Sequence, residues 1–354
     1  MARNCGGLRG TVCGMKGCGA CAATATYTLR HDMPPDNLPI LPADQAGIAA
    51  AADLLAQGRL VALPTETVYG LAADATNGHA VAGIFAAKDR PAFNPLIVHL
   101  LGVEDAQELA DLPSLAMDLA GAFWPGPLTL VLPRRSETAL AGLVCAGLDS
   151  VALRAPAHPI TRSVLNALGR PIAAPSANRS GALSSTHAAH VVAGLNGRID
   201  AVLDGQAAEI GVESTILSVV GDEVRLLRDG GLPREAIERM TGPLSSDTAP
   251  KAISAPGQLS SHYAPNATLE MASDLSDSAA VRIGFGPDPR ADLSLSHAGD
   301  LIDAAARLFA VLHEADALAA ETGRRRIAVA PVPMTGLGRA INDRLRRAAA
   351  PRMG

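Results

Sequence analysis

The chain has 354 residues, 48% of them hydrophobic and 18% charged, with a formal net charge of −5 and 3% aromatics. That balance excludes wholesale disorder and leaves apolar surface for cores of Leu, Val, Ile and Ala, over a length that suits two domains of about 100–200 residues each. It also weighs against a protein whose main business is gripping nucleic acid, which calls for a basic excess.

No uncharged apolar run reaches the roughly 18 residues of a membrane span. The start, with Arg3, Arg9 and Lys16 among Gly, Cys and Thr, lacks the apolar stretch of a signal peptide. A cytoplasmic location is therefore expected. Cys5, Cys13, Cys18 and Cys21 crowd the first residues, but only the last two have a C-x-x-C spacing, and a zinc site wants a second pair. Residues 1–40 read as a Cys/Gly-rich tail without metal, with Met33, ahead of Pro34 and Pro35, as an alternative start. Cys145 reads as inert.

From residue 41 the pattern is regular. A helix is predicted over 44–57, capped by Asp44 and ended at Gly58, followed by a buried strand over 59–64. A helix over 78–88, a strand over 95–100, helices over 103–110 and 114–122, and strands over 128–132 and 150–154 come next. A helix over 159–168, a strand over 171–174, a helix over 186–195, and strands at 201–203, 214–219 and 224–228 complete an α/β domain with a twisted, mixed sheet over 41–242. Residues 243–266 have the Gly, Pro, Ser and Ala composition of a linker. Strands near 268–271, 281–285 and 327–331, a helix over 300–320 and a terminal helix from Gly338 form a small, parallel, Rossmann-like domain over 267–350. It has no G-x-G-x-x-G fingerprint.

Six segments carry polar groups at strand or helix ends. Residues 64–71, Pro-Thr-Glu-Thr-Val-Tyr-Gly-Leu, follow a buried strand, where α/β folds tend to bind ligands, although an isolated turn of this kind is more often structural. Lys88 and Arg90 end a helix before Pro91, where they complement the helix dipole or clamp a polyphosphate. In that position Lys88 is expected to be exposed and to contribute little to stability. His99 closes a strand, where a histidine is more often structural than catalytic. Ser176, Asn178 and Ser180 follow another strand, in positions that suit turns or phosphate donors. Glu213-Ser214-Thr215, Arg228 and His262-Tyr263 complete the set. No Walker loop, nucleophile elbow, metal-ligand cluster or paired carboxylates are present, so the set fits an anionic, phosphate-bearing ligand.

Taken in order, these segments resemble the threonylcarbamoyl-AMP synthase family in its long, two-domain form, over roughly residues 42–350. The carrying motifs are residues 64–71, K-x-R-P at 88–91 with Asn94, S-x-N-x-S-G at 176–181, E-S-T at 213–215 and H-Y-A-P at 262–265. The chain departs from the family pattern at Ser185, Ser218 and Asp229. The resemblance implies synthesis of L-threonylcarbamoyladenylate from L-threonine, bicarbonate and ATP, with Mg2+ on the triphosphate and pyrophosphate released. The product would feed downstream enzymes that place the threonylcarbamoyl group on tRNA next to the anticodon. The tRNA itself, and double-stranded RNA generally, would be touched only indirectly or weakly, and no membrane would be involved.

By the same resemblance, Thr67, His99, Arg154, the Ala174 backbone and Ser214 would hold threonine. Arg90, Asn94, Ser150, Ser176, Ser184, Arg228 and Tyr263 would hold ATP, and Lys88, Arg90, Ser176 and Asn178 would form the catalytic signature. Residues 243–266 would strap across the cleft as a lid, with the second domain as its anchor. Two other readings remain open: an RNA-binding or regulatory protein using the same cleft, and a maturation factor that forms a carbamoyl-adenylate.

Overall fold

The computed structural model describes residues 37–221, 223–244, 262–272 and 274–351. The expectations for the four leading cysteines and for residues 245–261 of the linker lie outside the described residues. In chain order the elements are β1 (Ile40–Leu41), α1 (Gln45–Ala56), β2 (Val61–Leu63), β3 (Gly70–Asp74), α2 (Gly78–Lys88), β4 (Ile97–His99), α3 (Val103–Leu109), α4 (Ser114–Phe123), β5 (Leu128–Pro133), β6 (Ser150–Arg154), α5 (Pro159–Leu168), β7 (Ile172–Ala173), α6 (Ala188–Leu195), β8 (Ala201–Leu203), β9 (Thr215–Val220), β10 (Glu223–Arg228) and α7 (Arg234–Thr241). Then follow β11 (Thr268–Met271), β12 (Val281–Gly284), β13 (Leu293–Ser294), α8 (Leu301–Thr322), β14 (Arg326–Val329) and α9 (Gly338–Ala349).

Short polar side chains set the helix starts. The Asp44 carboxylate accepts from Gly47 N at 2.9 Å, Asn77 accepts from His79 N and Ala80 N, and Asp300 accepts from Ile302 N and Asp303 N. Glycine in the left-handed region closes α5 and α8, at Gly169 and Gly323.

The first ten strands form one mixed sheet in the order β1-β8-β2-β3-β7-β4-β6-β5-β9-β10. The tail limit at residue 40 lies too far along the chain, because Leu38 is already buried and Ile40 pairs with Val202. Strand β3 was not expected. All five of its residues are buried, so it shows none of the alternation that marks a half-exposed strand. It runs antiparallel to β2 and turns residues 64–69 into the loop of a tight return. The unexpected α7 opens directly after Pro233 and buries Ile237 alone, which leaves it little apolar periodicity to read.

In the middle of the sheet, β7 is only two residues long and lies antiparallel to both β3 and β4. From Ala174 onward the chain leaves the ladder, held by Ala174 N to Ile97 O at 2.9 Å and by Leu71 N to Pro175 O at 2.7 Å. That departure opens the sheet locally and makes room for a cleft.

The remaining four strands form the expected parallel sheet, in the order β11-β14-β12-β13. Its helices pack closely on the larger sheet's loops. A Cβ on Gly211, at φ +74°, would lie 2.2 Å from Ala305 O in α8, so only glycine admits this contact. Val68, Leu183 and Val212 from the first part of the chain share one core with Tyr263, Phe309 and Leu312. Each such side chain contributes about 1.5–3 kcal/mol on burial. The second sheet and its helices thus pack behind Val68 and Tyr263, two residues that line the cleft.

Candidate active site

The cleft lies where β7 gives out, between the loop before β3 and the ends of β4, β6 and β10. It is lined by Thr65, Thr67, Arg90, His99, Arg154, Ala174, Ser176, Glu213, Ser214, Arg228, His262 and Tyr263, among others.

The 64–69 loop is folded by its own hydroxyl. Thr65 Oγ1 donates to Val68 O at 2.6 Å and accepts from Thr67 N and Val68 N at 3.2 Å each. This presents Thr67 and Glu66 to Arg154 at the end of β6. Arg154 donates to Glu66 Oε1 at 2.7 Å, to Thr67 Oγ1 at 2.9 Å and to Gly126 O at 3.2 Å. Burial raises the Glu66 carboxyl, but the facing guanidinium outweighs it and holds the group below its ordinary value. His99 is the direct cross-strand partner of Arg154. Burial, reinforced by the Arg154 charge, pushes its pKa down to about 3, so it is neutral at neutral pH. Its Nδ1 is buried and has no partner among the described residues.

The opposite wall carries the other cations. Arg90 donates to Asn94 O and Pro95 O at 3.2 and 2.8 Å, which fixes its fork against the turn that follows α2. Burial lowers it to about 10, with nearby Arg228 adding to the effect. Arg228 donates to Ser214 O at 2.9 Å, and Ser214 Oγ lies 2.7 Å from Thr129 Oγ1. Glu213 accepts from Ser184 Oγ at 2.6 Å and from Arg344 Nε at 2.9 Å. Burial opposes its charge, but Arg344 and Arg228 prevail and hold it at about 2. A Cβ on Gly230 would lie 2.3 Å from Glu213 O, so the glycine pair after Arg228 lets this backbone close against the E-S-T segment.

Nine of the expected residues meet in the cleft: Thr67, Arg90, His99, Arg154, Ala174, Ser176, Ser214, Arg228 and Tyr263. Lys88, Asn94, Asn178, Ser150 and Ser184 do not line it. Lys88 corrects the expectation of an exposed helix end, since it is only 2% exposed. Its Nζ donates to Ser176 O at 2.6 Å and to Asn178 O, pinning the serine loop from behind. Burial and the neighbouring Arg90 hold its pKa well below the usual lysine value. Asn178 staples the same loop through Arg179 O and Ala182 O. Asn94 supports Arg90 with its carbonyl, and Ser184 reaches the cleft only through Glu213. Ser150 begins β6 opposite Pro133, four residues and about 13 Å along the strand from Arg154.

At Ser185, a departure from the family pattern, the hydroxyl bonds Ala177 O at 2.8 Å and so serves the same loop. Asp229, another departure, offers its carbonyl to Arg344. Sequence reading placed Glu66, Glu213 and His262 inside its motifs without giving any of them an individual role, and did not single out Arg344. Arg344 sits in an arginine-rich helix, and its only cue is its spacing with Ile341, Leu345 and Ala348 on the buried face of α9.

An α/β protein that turns arginines and hydroxyls from several strand ends into one buried cleft is built for an anionic, phosphate-bearing substrate. A family profile described as "Telomere recombination" matches residues 53–230, and one described as "Threonylcarbamoyl-AMP synthase, C-terminal domain" matches residues 232–350. The threonylcarbamoyl-AMP synthase of Pyrococcus abyssi is 40% identical over 86% of this chain and 95% of its own length. That of Bacillus subtilis is 49% identical over 63% of this chain and 65% of its own length. A crystal structure of P. abyssi Sua5 complexed with L-threonine superposes with a TM-score of 0.79 at 37% identity, covering 88% of this chain and 97% of that one.

The chain belongs to the threonylcarbamoyl-AMP synthase family, and it is an enzyme of nucleotidyltransferase type. The match over 232–350 to a domain described as the synthase's own favours that family over the maturation-factor reading. Among the described residues no helix is long and apolar enough to cross a membrane.

Proposed function

We propose that this cleft joins L-threonine, bicarbonate and ATP into L-threonylcarbamoyladenylate, releasing pyrophosphate and water, and that the expected residues carry it. The observation that supports this most is Arg154. It stands beside neutral His99 and Thr67 on one wall, with Arg90 and Arg228 lining the same cleft. The guanidinium would pair with the amino-acid carboxylate in place of its present bond to Glu66. His99, uncharged, offers an acceptor for the ammonium without repelling it. Thr67 and Ser214, which line the same cleft, would bond the substrate hydroxyl.

The amine adds to bicarbonate-derived carbon, water leaves, and a carbamate oxygen then attacks the α-phosphorus as pyrophosphate departs. Such a transfer needs positioning and charge stabilisation more than a nucleophile. Arg90, Arg228 and the Ser176 loop, pinned by Lys88 and Asn178, would supply both. Mg2+ would arrive on the triphosphate. Among the described residues no group of three or more His, Cys, Asp or Glu could hold it, and Glu213 is committed to Arg344.

Free space in the cleft is about 50 Å³, whereas pockets for ligands of this class span about 300–1,000 Å³. Tyr263 and His262 are both buried against it. The nucleotide would therefore enter only as His262 and Tyr263 withdraw, which fits the lid role expected of them at the end of the linker between a catalytic domain at 41–242 and a C-terminal domain at 267–350. The product would pass to downstream tRNA-modifying enzymes in the cytoplasm, and a net charge of −5 fits indirect contact with tRNA.

The test is pyrophosphate release with ATP, bicarbonate and a panel of amino acids. Threonine should support release and valine should be slower by about 10² or more, because a site built to bond a hydroxyl is left unpaired by an analogue lacking it. Release that ignores bicarbonate or the amino acid would overturn the proposal, and dependence on carbamoyl phosphate would restore the maturation-factor reading.

A further inference from the structure

Arg344 belongs to α9, beside the second sheet, yet its guanidinium ends at the cleft wall of the first. It is 0% exposed. Nε donates to Glu213 Oε2 at 2.9 Å, and Nη1 donates to Asp229 O at 2.7 Å and to Asp343 Oδ2 at 3.0 Å. The guanidinium carbon lies 5.5 Å from the centre of the Tyr263 ring. Its Nη2 is buried with no partner among the described residues. One side chain therefore touches the carboxylate, the loop after Arg228 and the aromatic ring that together bound one end of the cleft.

Glu213 is the difficulty that this arrangement resolves. A buried carboxylate lining a cleft for a polyanion would repel its own substrate. We propose that Arg344 is a positioning residue for the nucleotide subsite: from the C-terminal helix it neutralises Glu213 and holds it where it meets Ser184, so that the cleft accepts a triphosphate. The inference rests on the reaction proposed above for the same cleft. Arg344 does not line the cleft, and it acts through Glu213.

The charged and titratable groups facing Glu213 are Arg344 from α9, Arg228 from β10, Lys88 from α2, and His262 and Tyr263 from the segment before β11. Of these, Arg344 alone bonds its carboxylate directly. Burial and Arg90 hold Lys88 well below its ordinary value, and burial holds His262 at about 3, so neither is a ready substitute. Removing Arg344 leaves a carboxylate that is charged and repulsive at high pH and that takes up a proton at a pH higher than in the wild type.

The experiment uses the full chain and steady-state pyrophosphate release, with KM measured separately for ATP and threonine between pH 6 and 9. The neutral Arg344→Met should raise the ATP KM at least tenfold at pH 8 and the threonine KM less than threefold. The ATP KM should recover as the pH is lowered. Adding Glu213→Gln should bring the ATP KM of the double variant back toward wild type, because the uncompensated charge is gone. Arg344→Lys, which keeps the charge, should lie within about threefold of wild type.

A purely structural arginine predicts otherwise: both KM values would move together, the lysine variant would fare no better than the methionine one, and the double variant would be the worst. Any of those results overturns the proposal. Should Arg344→Met fail to fold, the double variant, in which no buried charge is left alone, carries the test against Glu213→Gln. The two should share one ATP KM, and a further tenfold loss in the double overturns the proposal. A wild-type enzyme that releases no pyrophosphate would instead refute the reaction on which the inference rests.

Discussion

Replacing Lys88 by Met keeps most of the aliphatic stem and removes the Nζ that donates to Ser176 O and Asn178 O. Each buried carbonyl left without its donor costs about 1–3 kcal/mol. Part of that returns, because the variant no longer buries a basic group whose pKa is already driven well down. The net loss should be about 2–4 kcal/mol, which for a fold of about 300 residues lowers the thermal midpoint by roughly 3–6 °C. Activity should fall further than stability. The loop that Nζ pins carries Ser176 into the cleft, and a displacement of about 1 Å at a positioning loop can cost on the order of 10²-fold in rate. Calorimetry and pyrophosphate release, run on the same preparation, check both. A midpoint within 1 °C of wild type together with a rate within twofold would show that Lys88 neither holds the loop nor serves the reaction.

Arg154→Lys should raise the threonine KM at least tenfold with little change in that for ATP, since a point charge cannot replace a fork shared between Glu66 and Thr67; equal shifts in both constants would contradict the assignment. Tyr263→Ala should weaken ATP binding measured by calorimetry and increase release of free AMP and threonine from the labile product, and unchanged nucleotide affinity would remove the strap from the mechanism. Burial holds His99 and His262 at about 3. The unfolded chain therefore binds protons that the folded one refuses, and stability should fall as pH drops from 6.5 toward 3. By pH 5 the loss should be about 2 kcal/mol for each such histidine. Glu213, held at about 2 against an ordinary 4.5, adds its own loss only below pH 4.5, so a thermal midpoint that stays flat between pH 6.5 and 5 counts against the buried, neutral histidines.

Much of this was readable from the sequence for identifiable reasons. Helices α1, α2 and α8 announce themselves through Asp44, Asn77 or Asp300 at their starts and an apolar stripe behind. The polar blocks at 64–71 and 176–181 stand out because each follows an apolar strand, and that at 213–215 because it leads into one. What stayed hidden is what depends on the third dimension. Gly70 to Asp74 is buried on both faces and so carries no period. Lys88 reads as a dipole partner at a helix end until the 176–178 carbonyls close over it. Ser150 shares a strand with Arg154, yet the strand's length separates them. Arg344 is one arginine among several in α9, and nothing local marks it as the one that faces a carboxylate 131 residues earlier in the chain.

That separation bears on how the enzyme comes into being. Ribosomes emit the chain from its N-terminal end at about 5–20 residues per second, and domains tend to fold in that order. For roughly 7–26 s after Glu213 has emerged, the large sheet can collapse around a carboxylate whose guanidinium has yet to be made. During that interval the nascent fold would hold the cleft residues of β4, β6 and β10 without the charge partner proposed above for Glu213. On the role proposed for Arg344, arrival of α9 would work as a completion signal: the cleft would engage ATP only once synthesis has passed α9.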